Sequence, residues 1–412
     1  MHRVDTLFRN AKLDEGTISS IVVEKGRIQA IGPGAEEGWS ALEVVDLAGA
    51  LVVPGFVEGH IHLDTSFYGD AWKPHKSCTA GFDVRERVEF QRQNMANAAP
   101  MEERARNQLE LCIANGSTFM RSHVMVDASV GLKSLETILG VREKYRDQID
   151  IQLVAFPQSG ILTCPGTAEL LDEAFNLGCD LVGGLDPASF DRDPKGHLDV
   201  VFGIAEKRGV GVDIHLHEPN MLGIFVLEEI AARAKSLGLQ GRVAVSHAYS
   251  LGEVPIEVVR RTAGKLAEAG VAIMTNAPGS YPFPPVLELR NAGVTVFSGS
   301  DNIRDSWWPY GDGDMLGRAM MLGYRSGFFT DDELRVAFDI VTEGGARALG
   351  LSDYGLRVGS PADFVTLEAE HVPEAVVGPP KNRAVYKAGR CVARNGVWVH
   401  QSPLIKQSSK IQ

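Results

Sequence analysis

Eight apolar runs suited to buried parallel strands recur along the chain, near residues 51–57, 118–124, 150–156, 181–185, 210–216, 243–248, 270–276 and 294–299. The stretches between them carry helical periodicity, among them Glu102 to Ala114, Leu132 to Tyr145, Ala168 to Leu177, Leu198 to Lys207, Ile224 to Leu237 and Ile256 to Ala269. Eight strands with intervening helices over roughly 300 residues predict an α/β fold, a (β/α)8 barrel of the TIM type. An open doubly wound sheet would gather its ligand at one crevice, and no G-x-G-x-x-G follows the first strand.

The two ends read differently. Residues 1–50 hold short alternating runs such as Ser19 to Ile28, with a Lys25-Gly26 turn inside, and residues 358–400 hold matching ones, Ala362 to Leu367 and Ala384 to Val392. Each end alone is too small for a stable sheet. Residues 1–50 and 358–412 are therefore expected to pair into one small, sandwich-like β-domain beside a barrel spanning 51–357. Ser408 to Gln412 reads as a polar, frayed tail.

Composition excludes some partners. A formal net charge of -12 with no dense Lys/Arg block argues against nucleic acid or an anionic membrane and leaves small molecules as ligands. The first residues lack a basic segment followed by an apolar one, and the most apolar later stretch, residues 47–57, is too short to span a bilayer. A cytoplasmic protein is expected, and a homo-oligomer is left open. The five cysteines, Cys78, Cys112, Cys164, Cys179 and Cys391, form neither a C-x-x-C pair nor an even set, so they read as reduced thiols.

Four of the apolar runs end in chemistry. In Gly59-His60-Ile61-His62 the two histidines lie one residue apart, so on an extended strand both imidazoles face one side and can grip one cation. In Asp213-Ile214-His215-Leu216-His217-Glu218-Pro219, alternation puts His215 and His217 on one face, and spacing does not choose the ligand between them. Pro219 stops the strand and lets Glu218 turn into the mouth, where a carboxylate can carry a proton to a leaving nitrogen; the same residue could instead cap the next helix. Ser246-His247 ends a further run, as a ligand or as a hydrogen-bonded structural histidine. Asp301 follows the last run, as a ligand or a helix N-cap. In a closed barrel these strand ends share one mouth, so a single metal site accounts for all four features.

This order, H-x-H, H-x-x-E, S-H and S-D, resembles the amidohydrolase superfamily over nearly the whole chain, and that superfamily's fold is a distorted (β/α)8 barrel beside a small β-domain. Val154 to Gln158, the His215 to Glu218 run and Ser300-Asp301 are similar to cytosine deaminase. Cys179 to Ala188, Ser300 to Asp305 and Trp308 to Met315 are similar to N-isopropylammelide amidohydrolase. The resemblance implies that His60, His62, His215 and Asp301 hold one divalent ion, zinc or else iron(II). It also implies that Glu218 carries protons, that His247 and Asp301 aim the water, and that Gln158 hydrogen-bonds the ring. His217, Asn302 and Trp308 are added as substrate contacts, and Phe67, Trp72, His123 and Trp307 as candidates to line the pocket. Relatives with two metals bridge them by a modified lysine after a middle strand, and no lysine lies between Lys144 and Lys195.

Two departures bear on the substrate. Cytosine deaminase has a second aspartate where this chain has Asn302, and the triazine relative has Asp at Glu218 and Lys at Thr65. The implied activity is hydrolytic deamination or dealkylamination of a nitrogen-rich six-membered heterocycle, cytosine-, isocytosine- or ammelide-like. Water activated by the metal would attack, and ammonia or an amine would leave. Ring opening of a cyclic amide by the same metal is the competing reading.

Overall fold

A computed structural model of the protein describes residues 2–399, and the Ser408 to Gln412 tail lies outside them. Eight parallel strands form one sheet in sequential order: β1 (Phe56–Ile61), β2 (Ser117–Met125), β3 (Asp150–Phe156), β4 (Leu181–Leu185), β5 (Gly211–Leu216), β6 (Val243–His247), β7 (Val271–Met274) and β8 (Val296–Phe297). Their residues are almost all buried, as expected of strands covered on both faces.

Helices between the strands supply that cover. Asn220–Ser236 buries Ile224, Val226, Leu227, Ile230 and Ala234, which join the same apolar core as Val212, Ile214 and Val245 of β5 and β6. Local signals set the ends of Pro194–Arg208. Asp193 accepts from Gly196 N, Pro194 opens the first turn, and Gly209 closes the helix at φ 69°.

The run expected at 51–57 is two strands. Leu51–Pro54 pairs antiparallel with Phe364–Leu367 in the other sheet, and only Phe56–Ile61 enters the barrel. Both halves are fully buried and apolar, so hydrophobicity shows no break; the Pro54-Gly55 pair marks it. A Cβ on Gly55 would lie 2.2 Å from Thr118 Oγ1, so the crossing between sheets needs glycine.

The second sheet draws on both termini. Leu51–Pro54 lies at its middle, between Phe364–Leu367 and His2–Lys12, and it extends through Arg383–Lys387 and Arg390–Arg394 on one side and Ile18–Glu24 and Arg27–Gly32 on the other. Phe8, Phe364 and Tyr386 form its aromatic centre, with ring centroids 4.6 to 5.1 Å apart. Lys387 ties the two sheets together, its Nζ 2.5 Å from Asp363 and 2.6 Å from Asp150 at the start of β3.

Barrel closure falls at the site. β8 is only two residues long, and the seam is carried beyond it by the loop. Gly59 N donates to Ser298 O at 3.1 Å, and Asp301 N donates to His60 O at 2.7 Å. No helix among the described residues is long and apolar enough to cross a membrane.

Candidate active site

The barrel brings four ligand-type side chains to one point. His60 Nε2 and His62 Nε2 each lie 3.5 Å from Asp301 Oδ1, and His215 Nε2 lies 3.3 Å from His62 Nε2. All four residues are buried. His60 Nε2 makes no hydrogen bond. Imidazole nitrogens that face one another and a carboxylate without a shared donor are unfavourable in a buried site unless a cation stands among them. Two overlapping groups with ligand atoms within 4.8 Å of one another meet here, His60 with His62 and His215, and His60 with His247 and Asp301, and imidazoles with one carboxylate suit zinc or iron(II). His217 takes another part: its Nδ1 pairs with Asp186 Oδ2 at 2.9 Å, and its ring stacks on His247 at 4.5 Å. Of the two histidines that alternation left equivalent, His215 points at the cluster.

A second layer orients the first. Ser246 Oγ donates to Asp213 Oδ1 at 2.8 Å and lies 2.9 Å from His60 Nδ1. Arg121 Nη1 donates to Asp213 Oδ2 at 2.9 Å. Asn276 Nδ2 donates to Asp301 Oδ2 at 2.8 Å, and His247 Nδ1 stands 4.0 Å from the same oxygen. Burial alone would raise the Asp301 carboxyl, but the neighbouring imidazoles, His247 foremost, outweigh it and hold the group well below the usual range. His247 and Asp301 have φ of 74° and 59°, left-handed backbone that side chains other than glycine rarely adopt.

Glu218 is buried beside the mouth. Its Oε1 accepts from Ala188 N at 2.6 Å and Ser189 N at 2.7 Å, while its buried Oε2 has no hydrogen-bond partner among the described residues. Burial, then the Asp186 charge, pushes its carboxyl up to about 7. It adjoins His217, which lines the cavity.

The cavity has a volume of about 670 Å³, and its walls include Gln158, His217, Asn302 and Trp308 as expected. Trp307 joins them, with Phe82, Tyr249 and Tyr281. Three other pocket candidates lie elsewhere. Phe67 and Trp72 border a separate hollow of about 100 Å³. His123 packs beneath His60, ring centroids 4.0 Å apart, inside the barrel.

Several residues of the site were not anticipated. Asp186 follows β4 and Asn276 follows β7, so a polar residue just past a buried run was the available signal. Asp213 and Ser246 lie inside strands, where alternation alone gave no hint of their role. Asp305, buried, accepts from Trp307 N at 2.8 Å, Trp308 N at 3.0 Å, Asn302 Nδ2 at 2.6 Å and Thr65 Oγ1 at 3.5 Å. Burial raises its carboxyl to about 6.

Residues 43–393 match the amidohydrolase family, and the chain belongs to it. It is similar to N-isopropylammelide isopropyl amidohydrolase of Pseudomonas sp. (strain ADP), 32% identical over 400 residues that cover 96% of this chain and 98% of the relative. The crystal structure of N-isopropylammelide isopropylaminohydrolase from Burkholderia multivorans aligns with a TM-score of 0.90 at 42% identity, covering 96% of this chain and 100% of that one. That of 5-methylcytosine deaminase from Klebsiella pneumoniae, liganded with 5-fluorocytosine, aligns with a TM-score of 0.81 at 26% identity, covering 97% and 99%.

Proposed function

We propose that this protein is a metal-dependent hydrolase that removes an exocyclic amino or alkylamino group from a nitrogen-rich six-membered heterocycle of the cytosine, isocytosine or ammelide kind. The convergence of His60, His62, His215 and Asp301 at the mouth of a closed barrel, beside a cavity of about 670 Å³, carries the reading. These four residues hold one divalent ion, zinc in the first instance and iron(II) as the alternative. When bound, the ion supplies Lewis-acid charge and makes water acidic enough to attack at neutral pH.

The chain's own residues do the rest. Asp301 and His247 orient the attacking water from one side. Glu218, with Oε1 held by two backbone amides, has Oε2 left to carry a proton, and a carboxyl near 7 can both take and return one. It accepts the proton of the water as the new carbon–oxygen bond forms and delivers it to the ring substituent as the carbon–nitrogen bond breaks. Ammonia or an amine departs, and the ring keeps a carbonyl. Gln158, His217, Asn302 and Trp308 bind the ring, and the aromatic wall of Phe82, Tyr281 and Trp307 shields it from bulk water.

Two relatives support amine release over ring opening by what they are named for, N-isopropylammelide and 5-methylcytosine. The test is a panel of cytosine, isocytosine, methylated cytosines, creatinine, ammelide and N-alkyl ammelides, assayed for ammonia or amine with metal content measured on the same sample. Amine release by protein carrying about one ion per chain is expected. A ring-opened product from fully loaded protein would replace this reading with cyclic amide hydrolysis.

A further inference from the structure

One stretch of the cavity wall, beginning beside Asp301, is organised by a single carboxylate. Asp305, 1% exposed, is surrounded by donors: the backbone amides of Trp307 and Trp308, the Thr65 hydroxyl and the side-chain amide of Asn302. An ionised carboxylate accepts and cannot donate. The Asn302 amide therefore has one orientation open to it, with Nδ2 on Asp305 at 2.6 Å. Among the described residues its Oδ1 has no donor, and Asn302 lines the cavity. Gln158, another amide on the wall, makes no side-chain hydrogen bond to the described residues, whereas Gln91 is held by Trp307 and Asn276 by Asp301.

We infer that Asp305 is a positioning residue that locks the Asn302 amide with its oxygen toward the cavity, so that the substrate must present a ring N–H to that wall. The inference rests on the reading of the cavity as a heterocycle site. The result is a neutral acceptor at a fixed place, while Gln158 adapts to whichever group faces it. A carboxylate at position 302 would accept as well, but it would stand against Asp305 with no proton between them. Asparagine is the residue that satisfies Asp305 and still offers an acceptor to the ring.

The test measures dissociation constants by calorimetry at pH 8 for ammelide and each of its ring N-methyl derivatives, using metal-loaded protein in a Glu218→Gln background so that the ring is not consumed. One methyl derivative is expected to bind at least about tenfold more weakly than ammelide, since a buried acceptor loses its donor. Asn302→Ala and Asp305→Asn should each shrink that ratio to within about threefold, while metal content and melting temperature stay near those of the parent. A ratio that survives Asp305→Asn in folded, metal-loaded protein overturns the inference, as does one that survives Asn302→Ala. If Asp305→Asn does not fold, Asn302→Ala decides alone. Ring binding by the unsubstituted protein without release of ammonia overturns the deaminase reading and leaves the methylation ratio standing as the test of Asn302. Failure to bind any of the rings overturns both.

Discussion

Ser246 Oγ lies 2.9 Å from His60 Nδ1 and gives its own proton to Asp213 Oδ1 at 2.8 Å. A hydroxyl has one proton to give, so His60 must be the donor in the first contact. Its Nδ1 carries the hydrogen and its Nε2 keeps a lone pair aimed at Asp301 and the other two imidazoles. Arg121, on Asp213 Oδ2, holds that carboxylate in place.

Ser246→Ala removes this orientation and nothing that touches the ion. Metal affinity should fall by about 10- to 100-fold, the usual cost of losing such an outer partner. Competition with a chelator of known affinity measures it. Unchanged affinity would mean that packing alone orients His60.

Glu218→Gln keeps the shape and the two backbone hydrogen bonds to Oε1 but cannot carry a proton. The turnover number should drop by about 10²- to 10⁴-fold with metal content unchanged. Because burial and the Asp186 charge raise this carboxyl to about 7, the rate should decline as pH falls through that region, where the carboxylate needed to accept water's proton is lost. Asp186→Asn removes a charge that holds the value up, so the acid limb should move to lower pH. A limb that stays put in both variants assigns it to another group.

The pattern of the barrel was legible because most of its strands read as buried apolar runs with helix-like stretches between them. The meeting of His60, His62, His215 and Asp301 was legible too, since all four sit where those runs end. Three things were not. The break at Gly55 hides between two equally apolar segments that belong to different sheets. The Asp213–Ser246 relay sits inside strands, where a polar residue looks like any other inward position until its partner from the next strand is known. The division of labour between His215 and His217 depends on Asp186, which reaches His217 from β4 and carries no mark of that role in sequence.

Glu58 gives a stability prediction with a definite sign. Wholly buried on β1, it accepts from Ser300 N at 2.7 Å, and burial raises its carboxyl from 4.5 to about 7. Between those values the folded chain holds a proton that the unfolded chain has released. The stability it contributes is therefore full below 4.5 and lost as pH rises through 7. Relative to Glu58→Gln, which does not titrate, the native sequence should lose on the order of 3 kcal/mol between pH 4.5 and pH 8. Denaturant unfolding of both proteins across that range checks it, and a native sequence that gains on the variant with rising pH would reverse the assignment.

The barrel seam can be probed at Gly299. A Cβ there would lie 2.4 Å from both the N and the O of His60, backbone atoms that cannot turn aside, and one on Gly59 would lie 2.5 Å from Ser298 O. Gly299→Ala must therefore either part β1 from the loop after β8 or shift His60, and each costs more than the methyl gains. A loss of about 3 kcal/mol or more is expected, together with weaker metal binding, because the strained contact falls on a ligand's own backbone. Gly264→Ala is the matched control. It lies within the helix Ile256–Glu268, and beyond that helix's own neighbouring backbone no atom comes within 4 Å of the new methyl, so the same substitution should stabilise by about 0.4–1 kcal/mol through the unfolded chain. Opposite signs for the two glycines, read from urea midpoints and metal titrations, would place the closing strain of the barrel at the metal site itself.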